Sequence, residues 1–405
     1  MISYQQALSV IRETARTSPP EGTVSLREAV GRVLSHDVLG AEDVPLFDNS
    51  AMDGFAVRSA DTLLASPDQP LRIPVSGFLA AGDERRQEPF PPGAIEIMTG
   101  AETPGDPYDA VIRVEDVERE ASGIVLRRPV RAGENVRPRG SDFRAGCTVA
   151  RAGTRVGAEH VMAFASLGIG SVPVLRRPRV GILATGKELV EPGRARTRPS
   201  QIWNSSGLYL EACLRHLGCA VTRGDAVGDD AGAYRRELRK LQESGVDLIL
   251  STGAVSMGRH DFVTDAILAE GATIHFHKAA IRPGKPICYG QIGAAAFFGL
   301  PGNPVSTAVG WRFFVVPYLR AFLRQKPEQG ATVRLAKAVR KPAGLRCFYK
   351  GKVSRGEGEV LEGQASYVVS TLLDANGWMV LPEEGESLPA GAEVSVFSLS
   401  MEEKA

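Results

Sequence analysis

Four acidic residues in the middle of the chain, Glu188, Asp229, Asp230 and Asp261, each follow a predicted β-strand. Because the carboxyl ends of parallel strands lie at one edge of a sheet, we expect these carboxylates to share that edge. Two carboxylates about 4 Å apart repel by roughly 4 kcal/mol at an effective dielectric constant of 20. Such a cluster requires a cation or raised pKa values. Magnesium fits because it takes oxygen ligands, and no set of His and Cys indicates zinc. The alternative is that the acids are independent helix N-caps.

A strand, a loop and a helix are predicted around the last of these acids. Residues 246–250 are apolar except for Asp247 and are rich in branched side chains, which is typical of a strand buried on both faces. Small and hydroxylated residues, Ser251, Thr252 and Gly253, end the run, and a helical pattern begins at Phe262. The start of a helix at the carboxyl end of a parallel strand favours an anionic ligand.

Three cations, Lys278, Arg282 and Lys285, surround a Pro-Gly pair. Their spacing of four and three residues would give one helix face, but Pro283 and Gly284 exclude a helix here. The segment therefore predicts a loop that directs cations at an anion, with a solvated basic run as the alternative.

A second Gly- and Pro-rich loop, residues 299–306 (GLPGNPVS), precedes a long helical pattern. Its prolines, Pro301 and Pro304, restrict the backbone, and the start of the helix near Ser306 offers unpaired N–H groups. The alternative is a plain turn with Pro in the first turn of a helix. Residues 181–188 nearly match a phosphate-binding P-loop, but Glu188 stands where the magnesium-binding hydroxyl is required.

Composition excludes several classes of protein. The 405 residues contain 48 Lys and Arg against 47 Asp and Glu, so no net charge favours nucleic acid or an anionic membrane. No apolar run reaches the length of a membrane span. The N-terminus is polar, and the five cysteines form no CxxC pair. We expect a cytoplasmic protein with no nucleic-acid or membrane partner.

The hydrophobic patterns divide the chain into modules. Residues 1–40 predict two helices, with stripes at Ala7, Leu8 and Ile11 and at Leu26, Ala29, Val30 and Val33. Short strands between turns follow from about residue 71 to 136. Strands and helices alternate from 178 to 325, which predicts a doubly wound, mostly parallel sheet. Short strands return from about residue 331.

Six motifs together resemble those of the molybdopterin molybdenumtransferases, the MoeA family, which also includes the C-terminal module of gephyrin. The motifs are residues 45–57 (PLFDNSAMDGFAV), 98–101 (MTGA), 184–189 (ATGKEL), 252–261 (TGAVSMGRHD), 278–286 (KAAIRPGKP) and 299–306 (GLPGNPVS). The resemblance covers essentially the whole chain.

The resemblance implies a multidomain fold of α/β and β type. An elongated N-terminal domain comprises residues 1–40 and 140–177, and a β-domain, 41–139, is inserted into it. A molybdopterin-binding α/β domain, 178–325, and a β-barrel-like domain, 326–405, follow. The implied protein is a homodimer with its site between subunits. It inserts molybdate into adenylylated molybdopterin with the help of Mg²⁺, releases AMP, and receives its substrate from a molybdopterin adenylyltransferase.

The resemblance also assigns residues to roles. The inserted domain and its return segment would contribute Asp53, Thr99 and Asp142. The metal and substrate side would contain Glu188, Ser256, Asp261 and either Asp229 or Asp230, with Glu188, Asp229 and Asp261 as metal ligands. The basic, proline-walled pocket would comprise Lys278, Arg282, Lys285, Pro301, Pro304 and Ser306. Arg346 and Ser370 match positions linked to oxyanion binding.

Two other functions are weighed against this one. A scaffold of the gephyrin type would not need Asp53, Glu188 and Asp261 together. A Mg²⁺-dependent nucleotide pyrophosphatase on the same α/β domain would leave the motif at 45–57 unexplained. Release of AMP that depends on molybdate distinguishes the insertase from both.

Overall fold

The computed structural model describes residues 1–15, 19–83, 90–253 and 262–399. The α-helices in these ranges are α1 Tyr4–Thr14, α2 Leu26–Ala29, α3 Ala158–Ser166, α4 Ser205–His216, α5 Ala231–Glu243, α6 Phe262–Ala269, α7 Pro304–Gly310, α8 Val316–Phe322 and α9 Ser370–Asp374. A π-helical turn, Trp311–Val315, joins α7 to α8.

A six-stranded sheet forms the centre of the α/β part. Its strands, in spatial order, are Ala220–Arg223, Arg179–Ala184, Leu248–Thr252, Ala295–Leu300, Cys288–Ile292 and Thr273–Phe276. The first four strands are parallel and the last two pair antiparallel. The prediction of a mostly parallel sheet is therefore confirmed.

Helices cover both faces of this sheet, because its strands are apolar on both sides. Leu210 of α4 packs in the same cluster as Ile182, together with α7 and α8. On the other face Leu238 of α5 packs with Leu183, together with α6. The register aligns Ala184, Thr252 and Leu300, so the loops that follow these strands leave the sheet side by side.

A second six-stranded sheet carries the motif at 45–57. Its strands, in spatial order, are Ala110–Arg113, Gly54–Val57, Ala94–Ile97, Leu71–Leu79, Gly123–Leu126 and Glu118–Glu120. The strand Gly54–Val57 is fully buried between two neighbours. The sequence analysis missed this strand because a run of four residues buried on both faces has no alternating pattern.

The N-terminal segment differs in part from its prediction. The stripe of α1 is buried as expected, and Ser3 and Gln6 form a capping box at its start. The prediction of a second helix is correct for one turn only. Helix α2 spans four residues, and Val30, a member of the predicted apolar stripe, is 56 % exposed. Gly31, at φ +78°, ends the turn. The chain before α2 instead forms the strand Glu21–Ser25, which pairs with Ser171–Leu175.

The remaining strands build a closed barrel and short ladders. The barrel strands, in order, are Arg346–Ser354, Glu357–Val360, Ala331–Leu335, Glu393–Ser398 and Gly377–Leu381, and the last strand pairs with the first. Ile281–Arg282 pairs in parallel with the start of the barrel strand Arg346–Ser354. The two-stranded ladders are Val38–Leu39 with Thr148–Ala150, Asn49–Ser50 with Val136–Arg137, Leu189–Val190 with Ile202–Trp203, and Val339–Arg340 with Ser387–Leu388. Within the described ranges, no helix has both the length and the apolar character to cross a membrane.

Candidate functional site

Three loops at the carboxyl edge of the central sheet pack against one another through bare backbone. Gly253 has φ +89°, and a Cβ there would lie 2.7 Å from the Thr185 hydroxyl and closer still to the Thr185 carbonyl. A Cβ on Gly302 would lie 3.6 Å from the Cα of Gly253. The N–H of Gly253 donates to the carbonyl of Leu300 (3.2 Å), and that of Thr185 to the carbonyl of Thr252 (2.8 Å). Position 253 therefore requires glycine for both its conformation and its contacts.

The acids at this edge are of two kinds. Asp230 is the N-cap of α5, and its Oδ1 accepts hydrogen bonds from the N–H groups of Gly232 (2.8 Å) and Ala233 (3.0 Å). These backbone bonds, that of Ala233 first, lower the pKa of Asp230. Among the described residues, the carboxylates of Glu188 and Asp229 accept no hydrogen bond. Capping therefore occupies Asp230 and leaves the carboxylate of Asp229 available for a ligand.

Glu188 and Asp229 lie on adjoining loops. The N–H of Gly186 donates to the carbonyl of Val227 (2.9 Å), which joins the loop after Arg179–Ala184 to the loop before α5. The described ranges contain no group of three or more His, Cys, Asp or Glu side chains that could hold a metal ion. The third predicted metal ligand, Asp261, and the predicted substrate contact Ser256 lie outside the described residues.

The predicted basic loop is present in the structure. Lys278, Arg282 and Lys285 form no ion pair with an acid in the described part of the chain, and the last two are exposed. The N–H of Ala279 donates to the carbonyl of Lys285 (3.2 Å), which closes the loop. A Cβ on Gly284, at φ +98°, would lie 3.4 Å from the carbonyl oxygen of Ser306. The basic loop therefore packs against the first turn of α7.

The loop before α7 connects the central sheet to the barrel domain. Pro304 opens the helix, and the hydroxyl of Thr307 donates to the carbonyl of Pro301 (2.6 Å). Asn303 donates from Nδ2 to the hydroxyl of Ser366 (3.0 Å), and the N–H of Val305 donates to the carbonyl of Ser366 (3.0 Å). The segment before α9 is thereby bonded to the loop that carries the predicted proline wall.

A buried lysine, absent from the sequence prediction, holds that segment. Lys350 is fully buried, and its Nζ donates to the carbonyls of Gly363 (2.6 Å) and Val368 (2.8 Å) on either side of Ser366. Its position in the strand, two residues after the buried Phe348, was the available signal, because alternate residues of a strand share a face. Ser370, the first residue of α9, follows directly and is exposed.

Arg346 lies in a different environment from the basic loop. Its Nη2 donates to Oε2 of Glu383 (2.8 Å), and its guanidinium lies 5.3 Å from the centre of the Tyr4 ring. Its side chain therefore has protein partners, unlike those of Lys278 and Arg282.

The inserted sheet positions Asp53 and Thr99 together. Oδ1 of Asp53 accepts from both the N–H and the hydroxyl of Thr99, each at 2.7 Å, and these bonds lower the pKa of Asp53. Both residues are exposed. Asp142, also exposed, bonds through its N–H to the carbonyl of Val44 (3.0 Å). Within one chain, as far as the structure describes it, no hydrogen bond or ion pair joins this group to Glu188, Asp229 or the basic loop.

The architecture is thus an α/β domain with three packed loops at its carboxyl edge, combined with an inserted sheet and a closed barrel. Three family models match in this order: the MoeA N-terminal region (domain I and II) at residues 2–168, "Probable molybdopterin binding domain" at 181–321, and the MoeA C-terminal region (domain IV) at 332–399. The chain belongs to the MoeA family.

Relatives and solved structures agree with this assignment. The chain is 38 % identical to a molybdopterin molybdenumtransferase of Synechococcus elongatus, over 98 % of this chain and 100 % of the relative. It is 34 % identical to molybdopterin molybdenumtransferase 2 of Mycobacterium tuberculosis, over 99 % and 100 %. The crystal structure of a molybdopterin biosynthesis MoeA protein from Pyrococcus horikoshii superposes with a TM-score of 0.86 at 29 % identity, covering 98 % of this chain and 99 % of that one.

Proposed function

We propose that this protein is a transferase of molybdenum cofactor biosynthesis that inserts molybdate into adenylylated molybdopterin and releases AMP. The observation that carries the proposal is the carboxyl edge of the central sheet. There, the cations of the 278–286 loop and two acids, all without a partner among the described residues, adjoin the same three glycine-rich loops. The names of the full-length relatives support it.

The basic loop is suited to the anionic parts of both substrates. Molybdate is a dianion and the adenylylated substrate carries phosphates, so both require donors that no protein carboxylate already occupies. Lys278, Arg282 and Lys285 meet that condition in the described chain. The free N–H groups at the start of α7, near Pro304 and Ser306, offer further donors to phosphate oxygens. Arg346 and Ser370 remain predicted oxyanion contacts from the barrel domain.

The acids are suited to magnesium. Mg²⁺ is commonly held by one or two carboxylates together with substrate phosphates. Glu188 and Asp229 lie on adjoining loops and accept no hydrogen bond from the described residues, so they satisfy this requirement, with Asp261 as the predicted third ligand. Magnesium bound there would polarise the phosphoanhydride. The protein's own residues orient the substrate: Gly253 and Gly302 admit it close to the backbone, and the cations fix its anionic groups.

The Asp53–Thr99 pair supplies a second carboxylate group in the proposed assembly. In a cytoplasmic homodimer with its site between subunits, Asp53, Thr99 and Asp142 of one subunit would face the α/β edge of the other. The hydrogen bonds from Thr99 lower the pKa of Asp53 and hold its ionised carboxylate in one orientation, so it can bind a cation or orient water. A molybdopterin adenylyltransferase would supply the substrate.

The test is AMP release from adenylylated molybdopterin in the presence of Mg²⁺, with and without molybdate. We expect the wild type to release AMP on addition of molybdate, and we expect Asp53→Asn to lose about 100-fold or more in rate. Asp68→Asn is the matched control, because Asp68 is exposed on the same inserted domain and forms no described hydrogen bond.

Three results would contradict the proposal or its assigned residues. Normal molybdate-dependent AMP release by both Asp53→Asn and Asp229→Asn would remove the assigned acids from the reaction. Hydrolysis of ADP-ribose without any response to molybdate would favour a nucleotide pyrophosphatase. A protein that binds its partners but releases no AMP would favour a scaffold.

A further inference from the structure

A second cationic cleft lies at the opposite edge of the central sheet. It is lined by Arg32, Arg155, Arg176 and Arg177, with Gly31, Leu217 and Gly218 among its other residues. Pro178 and Gly218 in its wall precede the strands Arg179–Ala184 and Ala220–Arg223, so the cleft is at the amino ends of these strands. The candidate functional site is at the carboxyl ends.

The arginines of this cleft are poorly compensated. Among the described residues that line it, none is Asp or Glu. Arg176 pairs with Asp247 (2.7 Å), and Arg32 donates to the carbonyl of Leu175 (3.1 Å). Within the described part of the chain, the guanidinium groups of Arg155 and Arg177 have neither a hydrogen bond nor an ion pair.

The surroundings make this arrangement costly without a ligand. Arg155 is partly buried, and burial lowers its pKa, as does the nearby charge of Arg177. Burial likewise lowers the pKa of Arg32, and Arg177 lowers it further. Glu28 attracts Arg32 from α2, but its carboxylate already accepts a bond from Ser25 (2.9 Å). Guanidinium groups that repel one another and lack acceptors are stabilised by an anion between them.

Backbone contacts fix Arg155 in position. The N–H of Gly31 donates to the carbonyl of Val156 (2.8 Å), and the N–H of Val156 donates to the carbonyl of Arg32 (2.9 Å). Nη2 of Arg155 lies 3.7 Å from the point that a Cβ on Gly31 would occupy and 3.9 Å from the corresponding point at Gly218. Glycine at both positions therefore keeps other side chains away from this edge of the guanidinium group.

We propose that this cleft binds a small tetrahedral oxyanion of the phosphate class, held by Arg155 and Arg177 with Arg32 beside them. Guanidinium groups bind such anions through paired N–H donors. Phosphate, sulfate and molybdate share this chemistry. The inference does not depend on the proposed function, because the cleft is at the other edge of the sheet from Lys278, Arg282 and Lys285.

The experiment measures phosphate binding by calorimetry and by thermal melting, at constant ionic strength maintained with chloride. Binding to the folded state raises the melting temperature in a saturable way. We expect Arg155→Gln and Arg177→Gln each to weaken phosphate binding by about tenfold or more. Arg127→Gln, which removes one exposed charge on the inserted sheet, is the control and keeps wild-type binding. The general effect of phosphate on protein stability cancels in this comparison.

A second measurement distinguishes a role of Arg155 in ligand binding from a role in packing. In chloride alone, Arg155→Gln should melt no lower than the wild type, since the substitution removes a repelling charge. An equal loss of stability in chloride and in phosphate would assign Arg155 to packing and overturn the proposal. So would identical phosphate binding by the wild type and both cleft variants.

The anion is identified by repeating the titration with sulfate and with molybdate in an Arg282→Gln, Lys285→Gln background. That background weakens the candidate functional site and leaves the cleft intact. Tight binding of molybdate that Arg155→Gln abolishes would support a second molybdate site, and tight binding of phosphate alone would support a phosphate site. No saturable binding of any of the three anions would overturn the proposal.

Discussion

Thr99 donates two hydrogen bonds to one carboxylate oxygen of Asp53, from its backbone N–H and from its hydroxyl, each 2.7 Å long. The two residues come from different motifs, 45–57 and 98–101. Backbone bonds also join these motifs, since the N–H of Ser50 donates to the carbonyl of Ala101 (3.0 Å) and that of Gly100 to the carbonyl of Ser50 (2.9 Å). Among the described residues nothing bonds to the second oxygen of Asp53, which can therefore meet a ligand or a water molecule.

Thr99→Val should shift the pH dependence of catalysis. The substitution removes the hydroxyl bond and keeps the backbone bond, so the pKa of Asp53 rises toward its ordinary value. If the ionised carboxylate is required, the acid limb of the rate profile moves to higher pH, with little change at neutral pH. The same hydrogen bonds stabilise the fold above the ordinary pKa, and this contribution is lost as the pH falls through the lowered folded-state pKa.

The measurement is AMP release from about pH 3 to pH 8, a range that includes the ordinary Asp pKa of about 3.9. Thr103→Val is the control, because the Thr103 hydroxyl donates to the backbone carbonyl of Asp48 and not to a titrating group. If the acid limb of the Thr99→Val profile lay at the same pH as that of the wild type, ionisation of Asp53 would not determine the acid limb of the reaction.

Variants of Asp229 and Asp230 should distinguish a residue that binds the metal ion from one that only caps α5. Asp230→Ala removes two N-cap hydrogen bonds from α5, so it should lower the melting temperature and leave the Mg²⁺ requirement unchanged. Asp229→Asn breaks no described bond, so it should leave the melting temperature unchanged and raise the Mg²⁺ concentration needed for half-maximal AMP release by about tenfold or more. Melting curves and Mg²⁺ titrations of the two variants provide the test. The reverse pattern would make Asp230 the ligand.

Gly253→Ala should destabilise the protein by more than the strain of a positive φ alone explains. The added methyl would overlap the backbone carbonyl of Thr185 in the neighbouring loop. Gly271 is the control: it has a similar φ, +80°, and nothing within 4 Å of its would-be Cβ. Gly271→Ala should destabilise the protein by the left-handed backbone strain alone, about 1–2 kcal/mol.

Gly253→Ala should add the displacement of the Thr185 loop to that strain and strongly reduce AMP release, whereas Gly271→Ala should retain it. Denaturation and steady-state kinetics on both variants measure these effects. If the two variants had equal stability and equal activity, the Gly253 and Thr185 loops would tolerate being moved apart.

Much of the fold follows from local pattern in the sequence. The stripe of α1 and the apolar run of residues 246–250 each predicted their element, because burial imposes short-range rules. The failures occurred where long-range pairing decided the structure. Residues near Leu26 have a helical stripe, yet pairing with Ser171–Leu175 leaves only one helical turn there.

The candidate site was predictable in its residue types and not in its partners. Spacing indicated the basic loop at 278–286 and the acids after the strands. Sequence alone left Asp229 and Asp230 open, because both can cap a helix, and only the backbone geometry of α5 shows which one does. It also did not reveal Lys350, because a buried lysine has no distinguishing local pattern other than its place in an alternating strand.

Lys350→Met should loosen the segment around Ser366, which is bonded to the loop before α7. The substitution removes the two hydrogen bonds that the Lys350 ammonium donates to the carbonyls of Gly363 and Val368, each contributing about 1.5–3 kcal/mol. Ser366 lies between them and accepts from Asn303, so the loop before α7 should lose a support and the KM for adenylylated molybdopterin should rise. Lys352→Met is the matched control, because Lys352 is exposed two positions along the same strand.

Asn303→Ala tests whether the effect passes through Ser366. If it does, the double variant Lys350→Met, Asn303→Ala should have a KM close to the higher of the two single-variant KM values. Residues in one hydrogen-bond network do not act additively. Kinetics are measured at a temperature where melting curves show every variant folded. Multiplicative increases in KM would indicate that Lys350 stabilises the barrel domain without positioning the loop, since two independent changes add in free energy.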